Sequence, residues 1–305
     1  RADVWSISIF SGSDLRTLGP HPLVGDRPVL SAADVTDTRA VFVADPFLWR
    51  SATGWHMFFE VYVRASERGV ISHATSIDGT NWVYDRVVLE EPFHLSYPHV
   101  FEHEGQMYMV LESGEAGEVR LYRAGQFPRG WQLDIVLLQG RYYDPTLLLH
   151  EGRWWMWVCD ERYRPLLFTA SDLHGPWVPQ ESNAQAQTDL HTGRPGGRVL
   201  RIGTEIVRFA QDSVPTYGSM LHALRVDDLE PGRYFESAWN ATPLLRGSGK
   251  GWRATGMHHL DAWHTDGQWL AAVDGNQQRV VYNWRSGART IQKWLAGWLG
   301  KQRHH

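Results

Sequence analysis

Along this chain, pairs of short apolar runs joined by a polar turn return about every fifty residues. Phe42–Tyr62, FVADPFLWRSATGWHMFFEVY, sets the pattern, with two runs flanking Ser51–Gly54 in the manner of a β-hairpin. The design returns at Tyr97–Ser113, Tyr143–Glu161, Arg194–Asp212 and His258–Asn276. Pro46, Pro98, Pro145 and Pro195, which start successive inner runs, stand 52, 47 and 50 residues apart, the length of a propeller blade. Two further apolar runs follow the first hairpin and later copies follow suit, and three of these segments end on a tryptophan, Trp82, Trp131 or Trp177, read here as packing plugs between blades. The pattern predicts an all-β, five-bladed propeller filling residues 1–305 as one domain, with blades starting near 45, 97, 144, 194 and 258. The fifth unit is displaced by an insertion, Asp227–Thr255, and runs short of strands after Val280–Trp284. Val4–Phe10 is the strand expected to complete it and close the ring, which removes the exposed edges of an open array. Ile291, Trp294, Leu295 and Trp298 recur at helical spacing and predict a short C-terminal helix over Thr290–Gln302.

Composition narrows the function. A formal charge of −4 gives no basic excess to attract a phosphate backbone, so nucleic acid is not an expected partner. Cys159 is the only cysteine, which leaves no intrachain disulfide and no cysteine-based zinc site. No run approaches the roughly 20 apolar residues of a membrane span, and no signal peptide is recognisable. These features point to a soluble, cytoplasmic chain, although a start at Arg1 leaves open a removed leader or a missing neighbouring domain.

In a propeller the innermost strands converge on one axis, so their first residues gather round one funnel. Here those residues are Asp45, Tyr97, Asp144, Arg194 and His258-His259, with Glu60, Glu112, Asp160, Asp212 and Asp274 near the returning ends. Asp-Pro at a strand start is also an ordinary turn device. Arg194 suits a carboxylate or phosphate on a ligand, since a guanidinium binds such groups bidentately; an ion pair between blades is the competing reading. His258, His259 and Asp261 stand within four residues, and His94 and His99 bracket the second blade's start. Strand alternation sends His258 and His259 to opposite faces, so only one is expected on the axis. No cofactor is expected, with calcium, another ion or water left open at the axis. Among 16 tryptophans most read as blade packing, whereas Tyr217, Trp252 and Trp263 read as loop aromatics able to stack on a sugar, and the glycine-rich Gly247–Gly256 as a flap over the funnel.

The repeat, with DP opening the first and third blades and a carboxylate ending the second hairpin, resembles the five-bladed propeller glycosidases of the arabinanase, β-xylosidase and invertase-like group. The strings FVADPF, EPFHLSYPHVF, RPGGRV, QDSVPTYG and GMHHLDAW resemble more closely the N-terminal propeller domain of plant glucosamine inositolphosphorylceramide transferases and its bacterial relatives. The resemblance implies a carbohydrate-active propeller: a glycoside hydrolase or transglycosidase, or alternatively a non-catalytic carbohydrate-binding domain serving a fused or associated transferase. It implies a saccharide or glycoconjugate as partner. It also implies Asp45 as general base or nucleophile, Glu112 as general acid and Asp144 as the group that orients and tunes the acid, although Asp144 follows Glu112 here whereas the tuning aspartate precedes the acid in the arabinanase pattern. Glu60, Tyr97, His99, Arg194, Asp212, Tyr217, His258, His259 and Asp261 are the expected substrate contacts. Asp45 is expected to stay ionised beside backbone amides, and Glu112, behind the apolar MYMVL, to hold a proton.

Overall fold

The computed structural model describes residues 2–279, and those residues form five antiparallel sheets arranged as the blades of a propeller. Blade 1 runs Ala40–Ser51, Gly54–Val63, Arg68–Ser76 and Val83–Leu89 from inside to outside. Blade 2 runs Ser96–His103, Gln106–Glu112, Glu118–Gln126 and Arg129–Gln139. Blade 3 runs Tyr142–His150, Arg153–Asp160, Pro165–Ala170 and Val178–Pro179. In blade 4 the inner strand is broken into Arg194–Pro195 and Leu200–Ile202, followed by Glu205–Asp212, Met220–Glu230 and Arg233–Ala238. Blade 5 pairs Leu260–Thr265 with Gln268–Arg279, and Ala2–Gly12 lies antiparallel along the latter, with Ile7 opposite Asp274. Helix is confined to four short 3-10 turns among the described residues. The helix expected over Thr290–Gln302 and the run Val280–Trp284 lie outside the described residues.

The repeat seen in sequence corresponds to repeated backbone geometry. Glu104-Gly105, Glu151-Gly152 and Asp266-Gly267 each form a two-residue hairpin loop with positive φ at both positions. Such a turn matches the right-handed twist of the flanking strands. At the other end of the inner strands, Asp45, Tyr97 and Asp144 have φ of 53°, 52° and 51°. Each precedes a proline, and strand pairing skips there, between Ala44 and Phe47, Ser96 and His99, and Tyr143 and Thr146. These are three copies of one bulge, a device that re-aims a side chain. Holding a residue with a Cβ in the left-handed region costs on the order of 1–3 kcal/mol, so the surrounding structure must enforce it.

The apolar faces do not merge into one core. They make five separate clusters, one at each seam between neighbouring blades. Phe47, Phe58 and Leu89 of blade 1 meet Val100, Met109 and Tyr122 of blade 2. Val110 and Leu121 meet Met156 and Phe168 of blade 3. Trp131 and Trp177 are buried in two of these seams, and Trp82 is partly buried in a third. Trp82, Trp131 and Trp177 each donate an indole N–H to a carbonyl three or four residues back, which fixes the ring at the blade edge.

Candidate functional site

With the apolar side chains used at the seams, the axis is left to polar ones, and they occupy two levels. The outer level gathers Asp45, Glu60, Glu112, Asp144, Arg194, His258 and Asp274, all buried. Asp144 of blade 3 receives Arg194 of blade 4 through two contacts, from Nε to Oδ2 and from Nη2 to Oδ1 at 3.2 Å, while Gln211 Nε2 donates to its Oδ2 at 2.7 Å. The same Nη2 also donates to Glu112 Oε2 of blade 2 at 3.0 Å. Tyr143 and Tyr217 stand against the same guanidinium, each ring centre 5.2 Å from Cζ, and both tyrosines are half-buried at the rim. Burial pushes the carboxyl of Glu112 well above its ordinary range; Arg194 opposes this without cancelling it, and Asp144 adds to the rise.

Across the funnel, Asp274 accepts the backbone amides of Asp45, His258 and His259 at 3.1–3.2 Å and lies 2.8 Å from Nδ1 of His258. Those four donors fill the acceptor capacity of a carboxylate. Burial acts to raise the pKa of Asp274, but His258 and the amides outweigh it and hold it below the usual value. Burial also acts to lower His258, and there Asp274, Asp45 and Asp144 win and raise it. Ligand atoms of Asp45, His258 and Asp274 all lie within 4.8 Å of one another, the one such trio among the described residues. Because Asp274 is already saturated by donors and His258 Nδ1 is engaged with it, the trio is an ion-pair bridge rather than a set of vacant metal ligands.

Asp45 and Glu60 differ from their neighbours. Asp45 Oδ1 and Glu60 Oε1 are buried and receive no hydrogen bond. His258 Nε2 and His259 Nδ1 approach Asp45 Oδ1 only to 3.7 and 3.9 Å. Burial raises Asp45 to about 7 against the pull of His258. The expectation that backbone amides keep Asp45 ionised is therefore corrected, since its own N–H donates to Asp274 and no amide reaches its Oδ1. Glu60 is pushed well above the ordinary carboxylate range, first by burial and then by Asp45, Glu112 and Asp144.

A second, inner level gathers Asp261 and Arg198, three and four residues past His258 and Arg194, together with His99 and with Tyr97, which occupies the bulge position equivalent to Asp45. Asp261 accepts from the Leu48 amide at 2.6 Å and from Arg198 Nε and Nη2 at 2.8 and 3.2 Å. Arg198 also donates to the Leu48 carbonyl at 3.2 Å and lies 3.3 Å from His99 Nε2, while His99 Nδ1 accepts the Leu147 amide. The Tyr97 hydroxyl accepts from the Gly197 amide at 2.7 Å and contacts Thr146 Oγ1 at 2.8 Å and the Gly197 carbonyl at 3.1 Å. Gly197 is required at this crossing: its φ is 140° and an added Cβ would stand 1.8 Å from the Leu260 carbonyl. Burial holds His99 well below its ordinary pKa and His259 at about 4, so both are neutral.

Several expected residues are placed elsewhere. Asp212 lies outside the outer level, where it binds His191 and His222 at 3.1 and 2.9 Å and the Val214 amide at 2.8 Å. Tyr97, His99 and Asp261 sit on the inner level. His258 and His259 both turn toward Asp45, against the alternation argument, because residues 257–259 precede the strand and lack its pleat. Trp252 is buried and bonds Asp26 through Nε1, and Trp263 lies in a strand, edge-on to Trp49 and Trp55. The Gly247–Gly256 segment is likewise tied down, by Arg253 on Asp26 and by Gly256 bridging Asn276, so it is no flap. Sequence reasoning passed over Arg198 and Gln211. Arg198 was signalled by its place four residues after Arg194 in RPGGRV, whereas Gln211 carried no signal.

A family model described as glucosamine inositolphosphorylceramide transferase 1, N-terminal, matches residues 4–276. A glucosamine inositolphosphorylceramide transferase 1 from Oryza sativa subsp. japonica is 31% identical over 297 residues, covering 90% of this chain. The chain spans only 40% of the length of that relative. Among solved structures, an α-L-arabinanase from Cellvibrio cellulosa in complex with arabinohexaose is similar at a TM-score of 0.55 and 19% identity, over 76% of this chain and 87% of that one. An exo-β-1,3-galactanase from Phanerochaete chrysosporium with galactose gives a TM-score of 0.57 at 13% identity, over 75% and 59%. At those identities the likeness is one of fold.

Proposed function

Because the chain belongs to the family of N-terminal domains of glucosamine inositolphosphorylceramide transferases, we propose that it is a carbohydrate-active propeller that cleaves or transfers a glycosidic bond in its funnel. The observation that carries this reading is the outer level itself, where carboxyl groups from different blades meet with their proton affinities pushed apart. Asp274 is held low while Glu60 and Glu112 are held high and Asp45 is poised near 7. Glycoside cleavage needs one protonated and one ionised carboxyl on either side of the bond. Asp45 serves as base or nucleophile and Glu112 as acid, with Asp144 and Arg194 orienting the acid. The fused or associated partner is a transferase domain, consistent with the share of the rice protein that this chain leaves uncovered. The same reading takes Ala2–Gly12, through its pairing with Gln268–Arg279, as the strand that seals the ring.

The Arg194–Glu112 contact also favours a second reading, a binding domain without catalysis, since a carboxyl held by a guanidinium is a poor proton donor. Kinetics separate the two. Glu112→Gln should depress hydrolysis of glycosides with poor leaving groups far more than that of activated aryl glycosides, and Asp45→Asn should abolish both. Equal losses for Glu112→Gln on the two substrates remove it from the acid's role, full activity in Asp45→Asn removes Asp45 from the base's role, and saccharide binding without turnover in the parent leaves the binding domain.

A further inference from the structure

We infer that Trp5, on the first strand, is a positioning residue for the funnel: its indole lies on His258 and holds that imidazole against Asp45. The contact stands on geometry alone, and its effect on turnover rests on the reading of Asp45 as base or nucleophile. Trp5 is buried yet belongs to none of the five seam clusters, whereas Ile7 and Ile9, on the same face of the strand, pack in a seam. Its ring partners lie at the funnel instead. The indole stacks on His258 with ring centres 4.0 Å apart and planes inclined by 21°. Tyr217 meets both rings edge-on, at 6.4 Å from Trp5 and 5.3 Å from His258. Gly218 gives the stack its room, because an added Cβ there would stand 2.7 Å from Trp5 Cη2 and 3.1 Å from His258 Cδ2.

The plane of this imidazole matters because both of its nitrogens are directed at carboxyls. Nδ1 lies 2.8 Å from Asp274, and Nε2 faces Asp45 Oδ1 at 3.7 Å. The charged groups acting on His258 are Asp274, Asp45 and Asp144, with the neutral His259 beside it. A cation over an indole face is attracted by the ring quadrupole, more strongly where water is excluded, so the stack favours the charged form of His258. That charge is in turn the strongest influence opposing the effect of burial on Asp45. Trp5 therefore acts on Asp45 at one remove, by fixing the ring plane and by supporting its charge. An aliphatic side chain would do neither. Ala2–Gly12 pairs with Gln268–Arg279, which carries Asp274, so the strand that delivers Trp5 lies beside the one that anchors His258. The site is complete only with the first strand in place.

The test compares Trp5→Leu with Trp5→Phe, each checked for the circular dichroism of the parent. The first measurement needs no substrate: an NMR titration of the His258 ring, its signal assigned by its loss in His258→Gln. In Trp5→Leu the midpoint should fall by about 0.5–1.5 pH units, and Trp5→Phe should recover at least half of that fall. Gly218→Ala, which crowds the stack but keeps the indole, should move the midpoint the same way and carries the test alone if Trp5→Leu does not fold. The second measurement is the pH profile of kcat/KM on p-nitrophenyl glycosides of arabinose and galactose. Its acid limb should move to higher pH in Trp5→Leu and return toward the parent in Trp5→Phe, with KM unchanged. A midpoint that stays put or rises in the folded variants overturns the inference and leaves the saccharide reading intact. A shifted midpoint with an unmoved acid limb overturns the effect on turnover. Absence of turnover in the parent removes the reading of Asp45, and the ring titration then still decides the contact.

Discussion

The two levels of the axis are built from the same kinds of side chain on the same strands, yet individual carboxyls on them are in opposite physical states. On the inner level Asp261 meets three donors and the Tyr97 hydroxyl has partners on Thr146 and Gly197. On the outer level Asp45 and Glu60 are also buried and have acceptor atoms that no donor reaches. A buried polar group without a partner costs roughly 1–3 kcal/mol, more if charged, so a fold relying only on its own contacts would have satisfied these two. The difference leaves Asp45 and Glu60 open to a contact from outside, whereas Asp261 and Tyr97 are held by the fold.

The sharpest way to break this comparison is to remove one aspartate from each level. Asp261→Ala leaves the partly buried Arg198 and the Leu48 amide without their partner and should cost up to roughly 3–5 kcal/mol in urea unfolding. Asp45→Asn should cost nothing or stabilise the fold while losing ligand binding or turnover. A comparable loss of stability in both variants would abolish the distinction. Next in size, Tyr97→Phe should lose about 1–3 kcal/mol, because the Gly197 amide it leaves behind is buried, with saccharide affinity unchanged.

A pH series sharpens the comparison further. The raised pKa of Asp45 means that the folded chain holds a proton that the unfolded chain has released between its ordinary value near 4 and about 7. Over that window this group makes stability fall as pH rises, by up to about 1.4 kcal/mol per pH unit. The difference in unfolding free energy between Asp45→Asn and the parent should grow across the window and level off above it. The smallest effect is expected at His191, exposed and outside both levels. Asp212 raises its pKa, so its contribution is present below the unfolded value near 6.5 and fades at higher pH. His191→Gln should cost only about 0.2–1 kcal/mol at pH 5.5 and nothing measurable at pH 9.

Much of the architecture was legible because the repeat is written in residues with fixed backbone preferences. Proline after Asp45, Tyr97 and Asp144, and glycine after Glu104, Glu151 and Asp266, marked both ends of the inner strands. The same marks located Asp45, Asp144 and Arg194 in one cluster. Sequence failed where the chain leaves regular structure. His258 and His259 could not be oriented, since period-two alternation holds only inside a strand. Which level a residue occupies was also invisible, because Asp261 lies just three positions past His258 and is of the same chemical type as Asp45. Trp252 and Trp263 looked like loop aromatics until tertiary contacts with Asp26, Trp49 and Trp55 placed them in packing.

The pairing of Ala2–Gly12 with Gln268–Arg279 also governs how the molecule is made. The first strand leaves the ribosome and must wait for a partner some 260 positions later, which at about 5–20 residues per second is on the order of tens of seconds. Until then its backbone donors and acceptors form a bare edge, open to pairing with any other extended segment. The fifth blade therefore cannot be completed until its last strand has been made, and its pairing over so long a separation is of the kind that slows folding. Moving the first twelve residues to follow the last strand, as a circular permutant, would convert that long wait into a local hairpin.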